Sequence, residues 1–386
     1  MEEISRSNLL IVALVAVLAP ILADTIRIKF PVVVAEILLG ILIGPDVLGW
    51  VHTDVLLSEL SDIGLAFLFF MAGMEIDFDR IRGAPARLAA TGWAISLALG
   101  PLIAALLWAL GAVGAPLLVG LALTTTALGT LLPIVRDAGL LEQRLGPYVL
   151  GVGSVGELGP IVAMSVGLAL ASGEPWRTAL LFVFAAIVVV IAAVAVRARP
   201  PRLVRLVEAT MHTSGQLAIR LAMLVLIALY GLAAELGLDV ILGAFTAGVV
   251  VGLVTRGKDA EVFHIKLDAI GFGFFIPIFF IQTGMEFDMD ALFGDPSSLL
   301  LVPAFAALFL IVRGLPALLL YRGALDRPEL PRLALLSATA LPLIVAITEV
   351  GTETGHMDET EAVALVGAGM FSVLAFPLVA LRARRR

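Results

Sequence analysis

The sequence predicts an all-α polytopic membrane protein with about 13 transmembrane helices, each near 20 residues long. Of its 386 residues 60% are hydrophobic and 15% charged, and the mean hydropathy is +1.07. Soluble domains are about 45–50% apolar and about 25% charged. The apolar excess extends over the whole chain, and no period-2 alternation indicates a barrel. A helical bundle is therefore expected, because lipid offers no partner to unpaired backbone groups.

Thirteen apolar runs are long enough, at roughly 20 residues, to cross about 30 Å of hydrocarbon. They cover residues 8–23, 31–48, 58–77, 88–110, 115–135, 147–171, 177–196, 216–236, 239–255, 269–287, 298–321, 331–350 and 360–381. The first run has neither a basic n-region nor a clear cleavage site. We therefore interpret it as a spanning helix and not as a signal peptide.

The basic residues alternate between the two sides of this bundle. The odd-numbered loops and the carboxyl end carry nearly all of the Lys and Arg residues outside the spans. The amino terminus and the even loops carry only Arg6 and Arg177. By the positive-inside rule the odd loops and the carboxyl terminus are cytoplasmic, and the amino terminus lies outside.

Composition also excludes several classes of function. The chain has no Cys, which excludes disulfides, thiolate metal sites and Cys nucleophiles. Its four His are not paired at metal-ligand spacing, and no nucleophile–base constellation occurs. We therefore expect no enzyme activity and no cofactor. The net charge of −7 gives no indication of a nucleic-acid partner.

Two sequence similarities at nearly the same offset predict an internal repeat. "GMEIDFD" (73–79) resembles "GMEFDMD" (284–290), and "TTTALGTLLPI" (124–134) resembles "SATALPLIVAI" (337–347). Matching spans are separated by an odd number of crossings, so the two repeats have opposite orientations. We expect one membrane transport domain, residues 1–386, made of repeat one (about 8–172), a linker helix (about 177–196) and repeat two (about 216–382). Inverted repeats are typical of secondary transporters.

The repeats predict two broken helices that cross at the transport site. The first break is marked by Thr124, Thr125, Thr126, Gly129 and Pro133, and the second by Ser337, Thr339 and Pro342. Gly and Pro free backbone groups within the membrane, and hydroxyl groups can partly satisfy them. The dipoles and unpaired carbonyls of the broken ends can help coordinate a cation. Thr125 and Thr126 are therefore candidate cation ligands.

Two opposite charges lie at similar depth in the predicted bundle. Glu157 is ten residues, roughly 15 Å, into its span, and Arg313 is eight residues, roughly 12 Å, from the end of its own. Intramembrane charges usually pair and mark a functional site. Glu157 is thus either half of a static pair or a carboxylate that binds a proton or a monovalent cation, with Arg313 as its charge partner. The second interpretation is favoured, and Ser154, one turn before Glu157, is a further candidate ligand.

Several segments resemble the monovalent cation:proton antiporters of the Kef and Na+/H+ exchanger type. They are "AEILLGILIGPDVLG" (35–49), "LSDIGLAFLFFMAGMEID" (60–77), "ALTTTALGTLLPIVRDAGLL" (122–141), "LGAFTAGVVVGL" (242–253) and "FIPIFFIQTGMEFD" (275–288). The resemblance implies an Na+/H+ antiporter-like fold with crossed broken helices, H+ and Na+ or K+ as substrates, and a homodimer. The bacterial inner membrane is the expected location. The family's cytosolic nucleotide-binding domain is not expected here.

One position departs from the family pattern. The family's sixth span usually carries an acidic pair, or an amide followed by Asp, where this chain has Gly156 and Glu157. A single acid predicts exchange of one proton for one cation. Two alternatives stay open: an organic-anion symporter of related fold, in which Arg313 holds a substrate carboxylate, and a membrane sensor that transports nothing.

Overall fold

The computed structural model describes residues 2–25, 31–76, 80–171, 174–197, 210, 213, 215–255, 260–294 and 296–382. These ranges contain helices and turns and no strand, which confirms the all-α prediction. The predicted membrane orientation depends on several basic segments that lie outside the described residues, namely 26–30, 198–209, 256–259 and 383–386. The last three residues of "GMEIDFD" also lie outside them.

Eighteen α-helices are described in these ranges. They are α1 (Glu2–Thr25), α2 (Val32–Ile43), α3 (Val55–Met74), α4 (Ala84–Ala109), α5 (Pro116–Ala122), α6 (Leu128–Asp137), α7 (Gly146–Ala171), α8 (Pro175–Arg197), α9 (Leu217–Glu235), α10 (Val240–Val254), α11 (Ala260–Ile270), α12 (Ile276–Met285), α13 (Met289–Phe293), α14 (Pro296–Phe309), α15 (Leu315–Leu320), α16 (Glu329–Ser337), α17 (Pro342–Glu353) and α18 (Glu359–Arg382). The π-helical turns Gly271–Phe275 and Leu310–Gly314 join α11 to α12 and α14 to α15.

Each of the thirteen predicted spans contains helix. Within the described ranges, nine helical stretches are long and apolar enough to cross a membrane. Three further apolar helices, Val32–Ile43, Thr178–Val194 and Val240–Val254, are shorter. The predicted fifth span is divided into the short helices α5 and α6. The number of thirteen crossings therefore stays a prediction.

The chain divides into two compact units. Unit 1 comprises Met1–Leu57, Phe78–Pro160 and Phe280–Arg386, and unit 2 comprises Ser58–Asp77 and Ile161–Phe279. The predicted division into two repeats and a linker helix is a different partition and stays a prediction. All residues of the predicted ion site belong to unit 1.

The glycine of each repeated heptapeptide lies at a close contact between helices. In unit 1, a Cβ at Gly284 of α12 would collide with the carbonyl of Ile37 on α2, and one at Gly40 with the carbonyl of Ile281. In unit 2, a Cβ at Gly73 would collide with the carbonyl of Phe245 on α10. Small residues are what permit backbones to approach this closely in membrane helices.

We expect Gly284→Ala to lower the thermal unfolding temperature of the detergent-purified protein by several degrees, because overpacking a tight contact costs about 1–3 kcal/mol. Gly231→Ala on α9 is the matched control, since a Cβ there meets no atom within 4 Å. Ala is the better helix former, so the control should be unchanged or more stable. Equal effects of the two substitutions would contradict the close-contact explanation.

Candidate functional site

The first helix break lies between α5 and α6, at residues 123–127. The hydroxyls of Thr124 and Thr125 donate to the carbonyls of Leu121 and Ala122 at 2.7 and 2.8 Å. These carbonyls belong to the last turn of α5, where a helix leaves its acceptors without helical partners. The two threonines therefore cap the end of α5 from within the break.

The predicted helix breakers of this segment do not form the break itself. Gly129 and Pro133 lie inside α6, downstream of the break. The chain leaves the helix where the three threonine hydroxyls offer alternative hydrogen bonds to the backbone. At the second break the predicted helix breaker Pro342 lies directly next to the break, because it is the first residue of α17. Its missing N–H costs nothing at that position.

The second break, residues 338–341 between α16 and α17, is held by a serine that the sequence did not reveal. Ser372 of α18 accepts the N–H of Ala340 at 3.0 Å, and its hydroxyl lies 2.9 Å from the carbonyl oxygen of the same residue. Ser337 donates to the carbonyl of Arg313 at 3.1 Å. Thr339 donates to the carbonyl of Leu335 at 3.1 Å. Backbone and side-chain groups freed by this break thus find partners within the protein.

The two breaks contact each other directly. The N–H of Ala127 donates to the carbonyl of Thr339 at 2.9 Å, and the hydroxyl of Thr126 donates to the carbonyl of Ser337 at 2.5 Å. The N–H of Thr126 donates to the carbonyl of Gly156 on α7 at 2.9 Å. The two breaks therefore contact each other, at what we call the crossing, and the first break also contacts the helix that carries Glu157.

Arg313 is buried at this crossing, with 4% of its surface exposed. Its Nε and Nη2 donate to the hydroxyl oxygen of Thr126 at 3.0 and 2.8 Å, and Nη2 also donates to the carbonyl of Val152 at 3.2 Å. A hydroxyl has one donor and two acceptor positions. Thr126 also donates to Ser337, so the donor position and both acceptor positions of its hydroxyl are used. Arg313 occupies both acceptor positions.

Ser96 of α4 is a second residue that sequence reasoning missed. It is fully buried, donates to the carbonyl of Val312 at 2.7 Å and lies 3.4 Å from Nη1 of Arg313. Ser96 is a single Ser in the apolar run "AATGWAISLALG". From the sequence such a Ser can equally well contact another helix or hydrogen-bond to the backbone of its own helix. Ser96 thus adds a contact from α4 to the part of the site that holds Arg313.

Glu157 and Ser154 lie one turn apart on α7, and each is 3% exposed. The Ser154 hydroxyl is buried and makes no hydrogen bond within the described part of the chain. Nη2 of Arg313 lies 2.5 Å from where the Cβ of residue 156 would be, next to Glu157 in the chain. The structure therefore brings the guanidinium against the turn of α7 that bears the predicted acid.

Two other features of unit 1 lie apart from the crossing. Glu36 of α2 is an acidic residue buried to 4% exposure. A cavity of about 540 Å³ is lined by the segments around Gly114, Asp290 and Glu361. None of the predicted site residues is among its lining residues.

The family model described as "Sodium/hydrogen exchanger, transmembrane" matches residues 13–381, which is most of the chain. The chain belongs to this family. The matched range includes both helix breaks, Glu157 and Arg313. It is a family of transporters and not of enzymes.

Individual relatives agree with this assignment. The chain is 29% identical to the putative Na(+)/H(+) antiporter YjbQ of Bacillus subtilis over 98% of its own length, and spans 63% of that relative's length. It is 25% identical to an Na(+)/H(+) antiporter of Enterococcus hirae, with 92% and 91% of the two chains covered. The Na(+)/H(+)-K(+) antiporter GerN of Bacillus cereus is 24% identical over 69% of the chain and 68% of its own.

One solved structure shares the fold. The sodium proton antiporter MjNhaP1 of Methanocaldococcus jannaschii superposes with a TM-score of 0.66 over 99% of this chain and 97% of its own. At 17% sequence identity this similarity concerns the fold alone.

We expect Ser372→Ala to lower the unfolding temperature, because it removes the hydroxyl partner of a buried backbone N–H, and an orphaned buried group costs about 1–3 kcal/mol. Ser165→Ala is the control, since Ser165 is also buried but, within the described residues, bonds only the carbonyl of Ile161 in its own helix. Thermal unfolding in detergent compares the two variants. A control as destabilised as Ser372→Ala would argue against a special role for this serine.

Proposed function

We propose that this chain is a secondary transporter that exchanges protons for monovalent cations, Na+ or K+, through Glu157. The observation that carries the proposal is a 3% exposed carboxylate on the turn of α7 against which a buried arginine and the crossing of two broken helices pack. An intramembrane acid is costly and is functional by default. The family and the names of the relatives support the same activity, with GerN supporting K+ as a second cation.

In this proposal Glu157 binds a proton or a cation in turn. The hydroxyl of Ser154, one turn away and without a partner in the described residues, supplies a second oxygen. Thr125 donates to the carbonyl of Ala122 and accepts no hydrogen bond from the residues that the structure describes, so its oxygen lone pairs stay open. Thr126 fits a ligand role less well, since binding a cation would require it to release Arg313. The carboxyl-terminal end of α5 adds a partial negative charge that favours a cation.

Arg313 supports a ratio of one proton for one cation. A guanidinium keeps its proton under ordinary conditions, so its charge is constant through the cycle. Glu157 is neutral when protonated, and its complex with a monovalent cation is neutral as well. The two loaded forms of the site therefore carry the same net charge, and the exchange moves none across the membrane.

The organic-anion symporter fits the contacts of Arg313 less well. Four hydrogen bonds engage four of the five N–H donors of the guanidinium, with oxygens of Thr126, Val152 and Ser96. A substrate carboxylate bound in the usual bidentate manner needs two donors on one edge. The arginine would have to leave the crossing to provide them.

The remaining parts of the proposal concern the whole molecule. We propose alternating access between two inverted repeats, a homodimer, and a location in the bacterial inner membrane with the amino terminus outside and the carboxyl terminus in the cytoplasm. The charge pattern of the loops and the family resemblance support these features.

We expect Glu157→Gln to abolish cation-dependent proton movement in proteoliposomes that contain a pH-sensitive dye, when Na+, K+ or Li+ is added. Gln cannot release a proton or balance a cation, and it has nearly the same size as Glu. Glu142→Gln, an exposed acid in the connection before α7, is the control and should keep wild-type rates. Equal exchange by wild type and Glu157→Gln would exclude Glu157 as the carrier.

We expect the rate of Na+/H+ exchange to stay within about twofold when a potential of either sign is imposed on the vesicles. A potential of 100 mV is worth about 2.3 kcal/mol for each net charge moved, so an electrogenic cycle responds strongly. The dye assay above measures the rate at both signs. A rate that increases at one sign of the potential and decreases at the other would contradict one-for-one exchange. It would still show that the protein exchanges protons for cations.

A further inference from the structure

Gln282 is a buried amide near the end of α12 that the proposed exchange does not use. It is 5% exposed, and its Nε2 donates to Oε1 of Glu286, one turn further along the chain, at 3.0 Å. The amide oxygen is buried and makes no hydrogen bond within the part of the chain that the structure describes. Turning the amide over would place this oxygen against a carboxylate oxygen, so the carboxylate fixes the orientation of the amide. A buried acceptor without a donor is costly, and a bound ion or water is the usual reason for one.

Further oxygen atoms lie beside this amide. The hydroxyl of Thr53, in the connection that follows α2, donates to the same Oε1 of Glu286 at 3.5 Å. Gly44, the residue that caps α2, packs on the end of α12, since a Cβ there would stand 3.0 Å from Cα of Met285 and 3.2 Å from its carbonyl oxygen. The connection after α2 and the last turn of α12 therefore bring an amide, a carboxylate and a hydroxyl oxygen together.

The electrostatic surroundings of these oxygens are negative. The carboxyl-terminal ends of α2 and α12 lie side by side at this contact, and each carries a partial negative charge. Glu286 adds a carboxylate, and so does Asp46, which accepts an N–H from the start of α13 at 3.2 Å. The sequence has no Lys or Arg between residues 30 and 79 or between residues 267 and 312. A ligand that satisfies the amide oxygen at this place is therefore expected to be a cation.

The donor atoms indicate the kind of cation. Amide, carboxylate and hydroxyl oxygens are hard ligands, which suit alkali and alkaline-earth ions better than transition metals. Ca2+ takes about six to eight oxygens, often from several carboxylates. Within the described residues, no group of three or more His, Asp or Glu residues could hold a metal ion. The single carboxylate of Glu286 balances one positive charge, so a monovalent ion fits this group of oxygens best.

We propose that Gln282, Glu286 and Thr53 form a binding site for one monovalent metal cation, Na+ or K+, at the carboxyl-terminal end of α12. The buried oxygen of the Gln282 amide is the ligand that distinguishes this site from an ordinary polar surface. The site shares no helix with the crossing, so it is separate from the proposed exchange site at Glu157. The proposed orientation of the chain places it on the outer side of the membrane. A cation bound there joins the connection after α2 to the end of α12.

The test measures cation binding in a Glu157→Gln protein, which lacks the carboxylate of the proposed exchange site. The unfolding temperature of the detergent-purified protein is compared in NaCl, KCl, CaCl2 and choline chloride at equal ionic strength. Gln282→Met is introduced into this background, because Met has a similar length but no oxygen. Gln143→Met in the same background is the matched control, since the amide of Gln143 donates to the carbonyl of Gly139 in an exposed hydrogen bond of 2.9 Å.

In the Glu157→Gln background, Na+ or K+ should raise the unfolding temperature by roughly 2 °C at about ten times its dissociation constant. Gln282→Met should abolish this rise, whereas Gln143→Met should keep it. In choline chloride, Gln282→Met should be no less stable than its parent, because the substitution replaces a buried acceptor that has no donor by an apolar group.

The proposal would be overturned by a Glu157→Gln protein that responds to neither Na+ nor K+, or by a response that Gln282→Met leaves unchanged. An equal loss of stability in every salt would show a purely structural role for Gln282, and stabilisation by CaCl2 alone would show a divalent ion. Either result contradicts the proposal. If Gln282→Met does not fold, Glu286→Gln replaces it, because this exposed side chain keeps its size and should also lose the response. An unchanged response in Glu286→Gln would overturn the proposal, whereas exchange through Glu157 is decided separately by the proteoliposome assay.

Discussion

Lipid offers no hydrogen-bond partner to a peptide group, so helices that break within a membrane must satisfy their freed groups inside the protein. Here each break supplies partners to the other. Ala127 donates to Thr339, and Thr126 donates to Ser337. Ser372 accepts the N–H of Ala340, which the second break leaves without a partner in a helix. The positions of Thr126 and Ser337 follow from this exchange of hydrogen bonds.

The same crossing explains how a buried arginine is tolerated. A charge in a membrane is costly unless it is hydrogen-bonded or paired. The oxygens of Thr126, Ser96 and Val152 are neutral, so they solvate the guanidinium without cancelling its charge. The π-helical turn Leu310–Gly314 carries Arg313 at this point. A fixed positive charge is thereby kept next to the helix of Glu157.

The sequence predicts the breaks and the two charges because each has a strong local signal. A repeated motif, a Thr triplet and a charge in an apolar run are all visible along the chain. Ser96 and Ser372 have no such signal, since Ser165 occurs in a similar context and donates to the carbonyl of Ile161 in its own helix. The face that a residue presents is also hidden in a uniformly apolar run, so the sequence alone does not show that Glu36 is buried. Gly129 and Pro133 show that the strongest helix breakers need not mark the break.

The hydrogen bonds of the site also constrain how exchange can proceed. Both breaks, α7 up to Pro160 and Arg313 belong to unit 1, and the crossing ties them together. Opening the crossing would leave buried backbone groups without partners, and each such group costs about 1–3 kcal/mol. A cycle that keeps these bonds moves Glu157, Arg313 and both breaks as one body. Access to the site then has to change around the crossing.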